Sequence, residues 1–261
     1  MASKWDDLAP RILSAIAMLA VGGFAIWLGG EVFTVLLAVI CGLMVWELVR
    51  MLQPETPAAA VQLGALGASA VLLALYLPPI YALPLLVAPG IVGLSFVKNH
   101  RGIYLAYTPV LLLACLGAMV LRLDHGVIWM LWLVCVVVVT DVAGYFAGRI
   151  IGGPKFWPKV SPKKTWSGTI AGWFGAAVVA LIFINMTGAG GNLVWISMVM
   201  SFASQMGDAA ESAIKRKTGV KDSSNLIPGH GGLLDRFDGM LGALLLFLIA
   251  GGLVGFPPGA P

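Results

Sequence analysis

Apolar stretches close to the length of a bilayer crossing, separated by short polar or Gly/Pro-rich breaks, dominate the chain from end to end. Ile12 to Gly30, Ile103 to Leu121, Gly168 to Thr187 and Gly239 to Phe256 each approach the roughly 20 apolar residues that span a hydrocarbon core. Reading every such run against its interruptions predicts nine helices, at about 12–29, 32–49, 58–77, 80–97, 103–121, 127–148, 167–187, 192–214 and 239–256. Pro78, Pro79, Pro84 and Pro89 can kink or break the third and fourth. The expected fold is all-α and polytopic. Residues 1–261 form one integral membrane domain, with helices of 1–126 as membrane scaffold and the chemistry in 127–261.

The basic residues test this count. Lys4 and Arg11, then Arg50, then Lys98 and Arg101, then Arg149 to Lys164, then Lys215 to Arg236 fall on alternate connections, and of 16 Lys and Arg only Arg122 lies on the other side. By the positive-inside rule this places the N-terminus and the basic loops in the cytoplasm. The N-terminal MASKWDDLAPR mixes acids with bases and lacks a small-residue cleavage site, so the first helix is expected to be retained. Composition agrees: 59% of residues are hydrophobic, 11% are charged, and the net charge of +4 gathers on one membrane face. That charge suits anionic headgroups or a small anionic substrate, with no nucleic acid partner expected. Cys41, Cys115 and Cys135 sit singly inside apolar runs and read as small buried hydrophobes.

Polar chemistry enters the membrane in three places. On the eighth helix Ser197, Ser201, Ser204, Asp208, Glu211, Ser212 and Lys215 recur at intervals of three or four and share one face. Asp208 near the end of an apolar helix costs several kcal/mol unless a cation or water meets it; an ion pair with Lys215 or Arg216 is the structural alternative. On the sixth helix Asp141, Tyr145 and Arg149 share a face, with a possible internal pair between Asp141 and Arg149, while Gly144 and Gly148 let a neighbouring helix come close. The following loop, GGPKFWPKVSPKKTWSG, holds Lys155, Lys159, Lys163 and Lys164 with Ser161, Thr165 and Ser167. Ammonium groups, hydroxyls and the N–H groups opening the next helix are the donors of a polyphosphate cradle, and Pro154, Pro158 and Pro162 argue against a floppy loop. Third is SAIKRKTGVKDSSNLIPGHGGLLDRFD, Ser212 to Asp238. Here Asp222, Asp235 and Asp238 offer hard oxygen ligands, and Gly229, Gly231 and Gly232 let the backbone fold tightly. With Asp208, Asp235 and Asp238 are expected to bracket one or two Mg2+ ions.

Ser212, Lys215-Arg216, Lys221-Asp222, Pro228, His230-Gly231-Gly232 and Asp235-Arg236-Phe237-Asp238 resemble the C-terminal signature of the phosphatidate cytidylyltransferases, or CDP-diacylglycerol synthases. SPKKTW from Ser161, Asp141 with Tyr145, and QMGDAAES from Gln205 also look like family elements. The resemblance covers the C-terminal half; Ser167 departs from it, standing where many members carry Glu. It implies a Mg2+-dependent reaction of CTP with phosphatidic acid giving CDP-diacylglycerol and pyrophosphate in a bacterial inner membrane, with the site facing the cytoplasm, and it leaves room for a homodimer. Asp208 and Asp235 match the metal ligands. Lys163, Lys164, Lys215 and Arg216 would hold the triphosphate or lipid phosphate, with Ser161, Thr165, Ser212, Lys221, Asp222, His230, Gly231, Gly232, Arg236, Asp141 and Tyr145 in the substrate site.

Two rival functions share these ingredients. A CTP-dependent lipid kinase would transfer the terminal phosphoryl group. A cation-coupled transporter would carry charge near the midplane of two related halves, whereas here charge is skewed toward the C-terminal half and one rim. The DxxDG...G...DxxxD array of CDP-alcohol phosphotransferases is absent from the sequence. Among lesser candidates, Glu47 stands three residues before Arg50, where a local ion pair suffices. His100 and His125 read as solvated, His230 as a phosphate contact or a structural hydrogen bond within its turn, the Trp residues as an interfacial belt, and the Met residues as packing.

Overall fold

A computed structural model describes residues 8–258, leaving Lys4 of the charge argument outside the described residues. Nine helices lie among them: α1 (Leu8–Leu28), α2 (Gly30–Leu52), α3 (Pro57–Leu75), α4 (Pro79–Gly93), α5 (Arg101–Asp124), α6 (Val127–Ile150), α7 (Trp166–Thr187), α8 (Leu193–Thr218) and α9 (Leu234–Ala250). The apolar pattern therefore located each helix. It missed one element, an antiparallel hairpin of β1 (Lys155–Trp157) and β2 (Ser161–Thr165) inside the Lys-rich loop, paired Lys155 to Thr165 and Trp157 to Ser161. Six helices, α1, α2, α3, α5, α6 and α7, are long and apolar enough to cross a membrane. The chain is thus a predominantly helical membrane protein. α4 stops at 15 residues, with Pro84 and Pro89 inside it, and α9 has 17.

The chain divides into two compact units. One takes the described residues through Met119 together with Lys215–Phe237; the other takes Val120–Ile214 and the described residues from Asp238 onward. In the first, α2 and α3 meet backbone to backbone at Gly42 and Gly64, where a Cβ on either would come within 2.8 Å of the other's carbonyl oxygen. Such small-residue contacts replace the hydrophobic drive that helices lack in lipid. Buried Gln53, just past α2, accepts the N–H groups of Lys98 and Asn99 at 2.7 and 3.3 Å and so pins the turn between α4 and α5. Tyr104 on α5, fully buried, donates to the Pro89 carbonyl at 3.0 Å.

In the second unit α6 and α7 repeat the device at Gly144 and Gly168. Thr165 caps α7, its Oγ1 accepting the N–H of Gly168 at 3.2 Å, and Gly188, at φ 72°, closes the other end with its N–H on Ile184. The serine face of α8 is buried and meets α6: the Trp132 indole donates to Ser197 at 2.9 Å, and the Thr140 and Ser201 hydroxyls lie 2.7 Å apart. The hairpin is held to the start of α7 by the Trp166 N–H on Pro154 O at 3.0 Å and by an edge-on stack of Phe156 on Trp166. Fixed proline geometry and this aromatic anchor favour a defined conformation for the basic loop.

Candidate active site

Within the second unit, α6, β2, α7 and α8 enclose a cavity of about 470 Å³. Asp141, Tyr145 and Arg149 come from α6, Lys163 and Lys164 from β2, Thr165, Gly168 and Thr169 from the capped start of α7, and Gln205 and Asp208 from α8. The sequence spread these residues over nearly 70 positions. What gathers them is the glycine contact of α6 on α7 and the hairpin, which brings β2 back over the first turn of α7.

The charges are arranged in pairs. Lys164 meets Asp208 at 2.5 Å and also reaches the Gln205 carbonyl at 3.4 Å, while Ser212 donates to the other Asp208 oxygen at 3.1 Å. Asp208 is thus paired with a hairpin lysine, not with Lys215 or Arg216 from its own helix. The pair is about a quarter exposed, so an incoming anion can compete for the ammonium. Arg149 donates to the Tyr145 hydroxyl at 2.7 Å at the cavity edge, which is the contact seen in place of an Asp141–Arg149 pair. Ser167, the departure from the resemblance, donates to the Gly152 carbonyl at 2.5 Å and shares a hydrogen bond with Thr165. A short hydroxyl there ties the hairpin to α7. Ser161 is a strand residue opposite Trp157 and is not among those lining the cavity.

The first unit holds the other charged centre. Asp235 is nearly buried and saturated: Lys215 Nζ donates to Oδ1 at 2.6 Å, and Ser223 N–H, Ser223 Oγ and Gly232 N–H donate to Oδ2 at 2.8, 2.9 and 2.8 Å. Burial opposes the charge, but the Lys215 ammonium and the two N–H groups outweigh it and hold the carboxyl below its ordinary pKa. Gly231, at φ 83°, makes this possible: a Cβ there would sit 2.8 Å from Asp235 Oδ2. His230 bonds Ser14 of α1 through Nδ1 at 2.8 Å, and its N–H closes a turn on Ile227. Lys221, Asp222, Arg216 and Arg236 are exposed around this centre. Asp238, in the second unit, accepts the N–H of Gly239 at 2.7 Å.

The sequence reading passed over one functional-looking group. Glu47 is fully buried and is engaged by Ser223, Ser224, Leu233 and Leu234; Arg50 instead donates to the Pro54 carbonyl at 2.8 Å. The local ion pair expected at that position is replaced by a contact spanning the sequence. The available signal was an acid within an otherwise apolar run, LLAVICGLMVWELV.

Lysines, an arginine and acids around a cavity at the capped start of a helix form a site suited to a phosphorylated ligand. The sequence profile of the cytidylyltransferase family matches residues 9–253. Phosphatidate cytidylyltransferase of Brucella suis biovar 1 (strain 1330) is 35% identical over 261 residues, covering 97% of this chain and 96% of that one. The enzyme of the same name from Rickettsia bellii (strain RML369-C) is 36% identical over 68% of this chain and 83% of its own length, and that of Haemophilus influenzae (strain ATCC 51907 / DSM 11121 / KW20 / Rd) is 43% identical over half of each. The chain belongs to the phosphatidate cytidylyltransferase family and is an enzyme of that class.

Proposed function

We propose that the protein transfers CMP from CTP to phosphatidic acid, forming CDP-diacylglycerol and pyrophosphate for phospholipid synthesis. The observation that carries this reading is the cavity in which Lys163, Lys164 and Arg149 converge on the capped N-terminus of α7 beside Asp141 and Asp208. Ammonium and guanidinium groups with a helix N-terminus are a polyanion site, and the lipid-like flank of Phe146, Ile150 and Ile151, all exposed, suits an acyl-chain substrate arriving from the bilayer. In this reading all nine helices cross or enter the membrane, the N-terminus is cytoplasmic and the cavity opens to the cytoplasm of a bacterial inner membrane, as the Lys/Arg asymmetry supports.

In the transfer, an oxygen of the lipid phosphate forms a bond to the α-phosphorus of CTP. The bond from that phosphorus to the α,β-bridging oxygen breaks, and pyrophosphate leaves with the electron pair. Lys163 and Lys164 offset the charge that grows on the leaving oxygens. The phosphomonoester is already ionised at neutral pH, so no side chain need act as a base. Mg2+ fits the chemistry of the donors: Asp208, with Asp235 as the resemblance implies and Asp238 as a further candidate, is a hard anionic oxygen donor, and Asp235 would have to give up one of its present donors to bind the ion. Among the described residues no three carboxylate, His or Cys side chains gather round one point, so phosphate oxygens and water would complete the shell, as is usual for this ion. When bound it would neutralise charge on the reacting phosphates. Lys164 would have to leave Asp208 for phosphate.

The test is the fate of label. With CTP labelled in the α-phosphate and phosphatidic acid as acceptor, label enters the lipid, and label in the terminal phosphate leaves as pyrophosphate. Lipid labelled from the terminal phosphate, with CDP released, would instead identify a kinase.

A further inference from the structure

Glu47 is the most buried acid among the described residues of the first unit, at 0% exposure, on an apolar helix five residues from its C-terminal end. Three groups donate to it and a fourth lies within reach. Oε1 accepts Ser224 Oγ at 2.6 Å and the Leu233 N–H at 2.9 Å; Oε2 accepts the Leu234 N–H at 2.8 Å and lies 3.3 Å from Ser223 Oγ, whose one proton is shared with the nearer Asp235. An ionisable side chain so placed in a membrane helix is expensive to bury, and proteins keep one where it serves the function. Here the donors come from both ends of one segment, the Ser223-Ser224 turn and the first N–H groups of α9, otherwise unsatisfied at a helix start. Between those ends lies the loop with Gly231 and Gly232, and at its close stands Asp235. Ser223 is shared: its hydroxyl touches both Glu47 and Asp235. Gly232 fits between them, since a Cβ there would collide with Ser223 Oγ and Glu47 Oε1.

We propose that Glu47 is a positioning residue for CMP transfer, its carboxylate clasping both ends of the Ser223–Leu234 loop and so fixing where Asp235 and Lys215 stand. This rests on the function proposed above. Glutamine cannot replace it. Each oxygen accepts one backbone N–H, which cannot turn away, so an NH2 in place of either oxygen faces a fixed donor. A carboxylate that served only to fill space would tolerate that exchange of nearly equal shape.

The experiment uses the full-length protein in lipid nanodiscs, with Glu47→Gln and Ser224→Ala, and reads two quantities: CMP transfer from α-labelled CTP, and hydrogen exchange along the chain. For Glu47→Gln, kcat per folded molecule falls about 10-fold or more while KM for CTP moves less than about threefold, the scale of losing charge-assisted hydrogen bonds. Exchange quickens over 222–235 and stays as in wild type along α2 and α3. Ser224→Ala, which removes a single donor, moves both readouts the same way by about threefold. Wild-type kcat with wild-type exchange in Glu47→Gln would overturn the proposal, as would exchange raised along the whole first unit with kcat per folded molecule unchanged, the mark of packing alone. If Glu47→Gln yields no folded protein, Ser224→Ala decides by the same criteria. Wild-type protein that transfers no CMP would instead overturn the function reading, and the exchange contrast would still show whether Glu47 holds the loop.

Discussion

Asp208 and Asp235 are both carboxylates in contact with a lysine, yet their surroundings differ. Asp208 is about a quarter exposed in a cavity wall and has one lysine and one serine; Asp235 is almost buried and has four donors. On the proposed reading Asp208→Asn should lower CMP transfer at least about 100-fold with little loss of stability, because it removes a ligand of the Mg2+ whose charge stabilisation at the reacting phosphates is worth several kcal/mol. Asp235→Asn should lower it as far, and should also destabilise the fold by about 1–3 kcal/mol, since an amide NH2 would face N–H donors that the carboxylate oxygens now accept. Turnover with thermal midpoints of the purified variants separates the two effects. An Asp208→Asn enzyme near wild-type turnover at ordinary Mg2+ would remove that carboxylate from the site.

At the scale of elements, the cavity exists because α6 and α7 touch through glycine. A Cβ on Gly168 would lie 2.5 Å from the Gly144 carbonyl, whereas one on Gly22 of α1 would meet nothing within 4 Å. Gly168→Ala is therefore expected to cost about 1–3 kcal/mol and, by parting the walls that carry Asp141 and Lys164, to reduce turnover at least about 10-fold. Gly22→Ala should be neutral or slightly stabilising. Thermal midpoints and activities of the two variants test the contrast; equal behaviour would mean that the helix contact does not shape the site. The same comparison shows what the sequence could disclose. The Gly144/Gly148 spacing announced a close helix neighbour, and the three-and-four spacing of Ser197, Ser201 and Ser204 announced a buried polar face, because both are periodicities of one helix. The hairpin escaped notice because strands of three and five residues are too short for alternation to register, and their lysines disguise them as a solvated loop. Glu47 escaped because its partners lie 176 to 187 residues away, and no local rule reaches that far. The ion pair that helix spacing offers Asp208 as a structural alternative is with Lys215 or Arg216, and the structure gives it Lys164 by the folding back of β2.

For the molecule as a whole, the proposed reading asks the basic connections to serve both membrane insertion and substrate binding, and the hairpin is where the two demands can be separated. Lys and Arg flanking a span set orientation by their number within short connections, so a chain with 16 of them tolerates losing two. Phosphate binding has no such redundancy: it depends on which ammonium groups reach the cavity, and of the four lysines in the 152–168 loop only Lys163 and Lys164 line it. Lys163→Ala with Lys164→Ala should therefore lower transfer about 100-fold or more, since each ammonium aimed at a leaving polyphosphate is worth a factor of tens. The orientation of every loop should remain. Lys155→Ala with Lys159→Ala removes the same charge from the same connection and should leave transfer within about threefold of wild type, because exposed charge away from the cavity adds only screened, long-range attraction. Cysteine-accessibility mapping of both double variants, beside their transfer rates, makes the distinction. An inverted C-terminal half in the first pair would make topology the reason for its lysines, and equal loss in both pairs would mean that net charge on the face, rather than the geometry of the cavity, is what CTP meets.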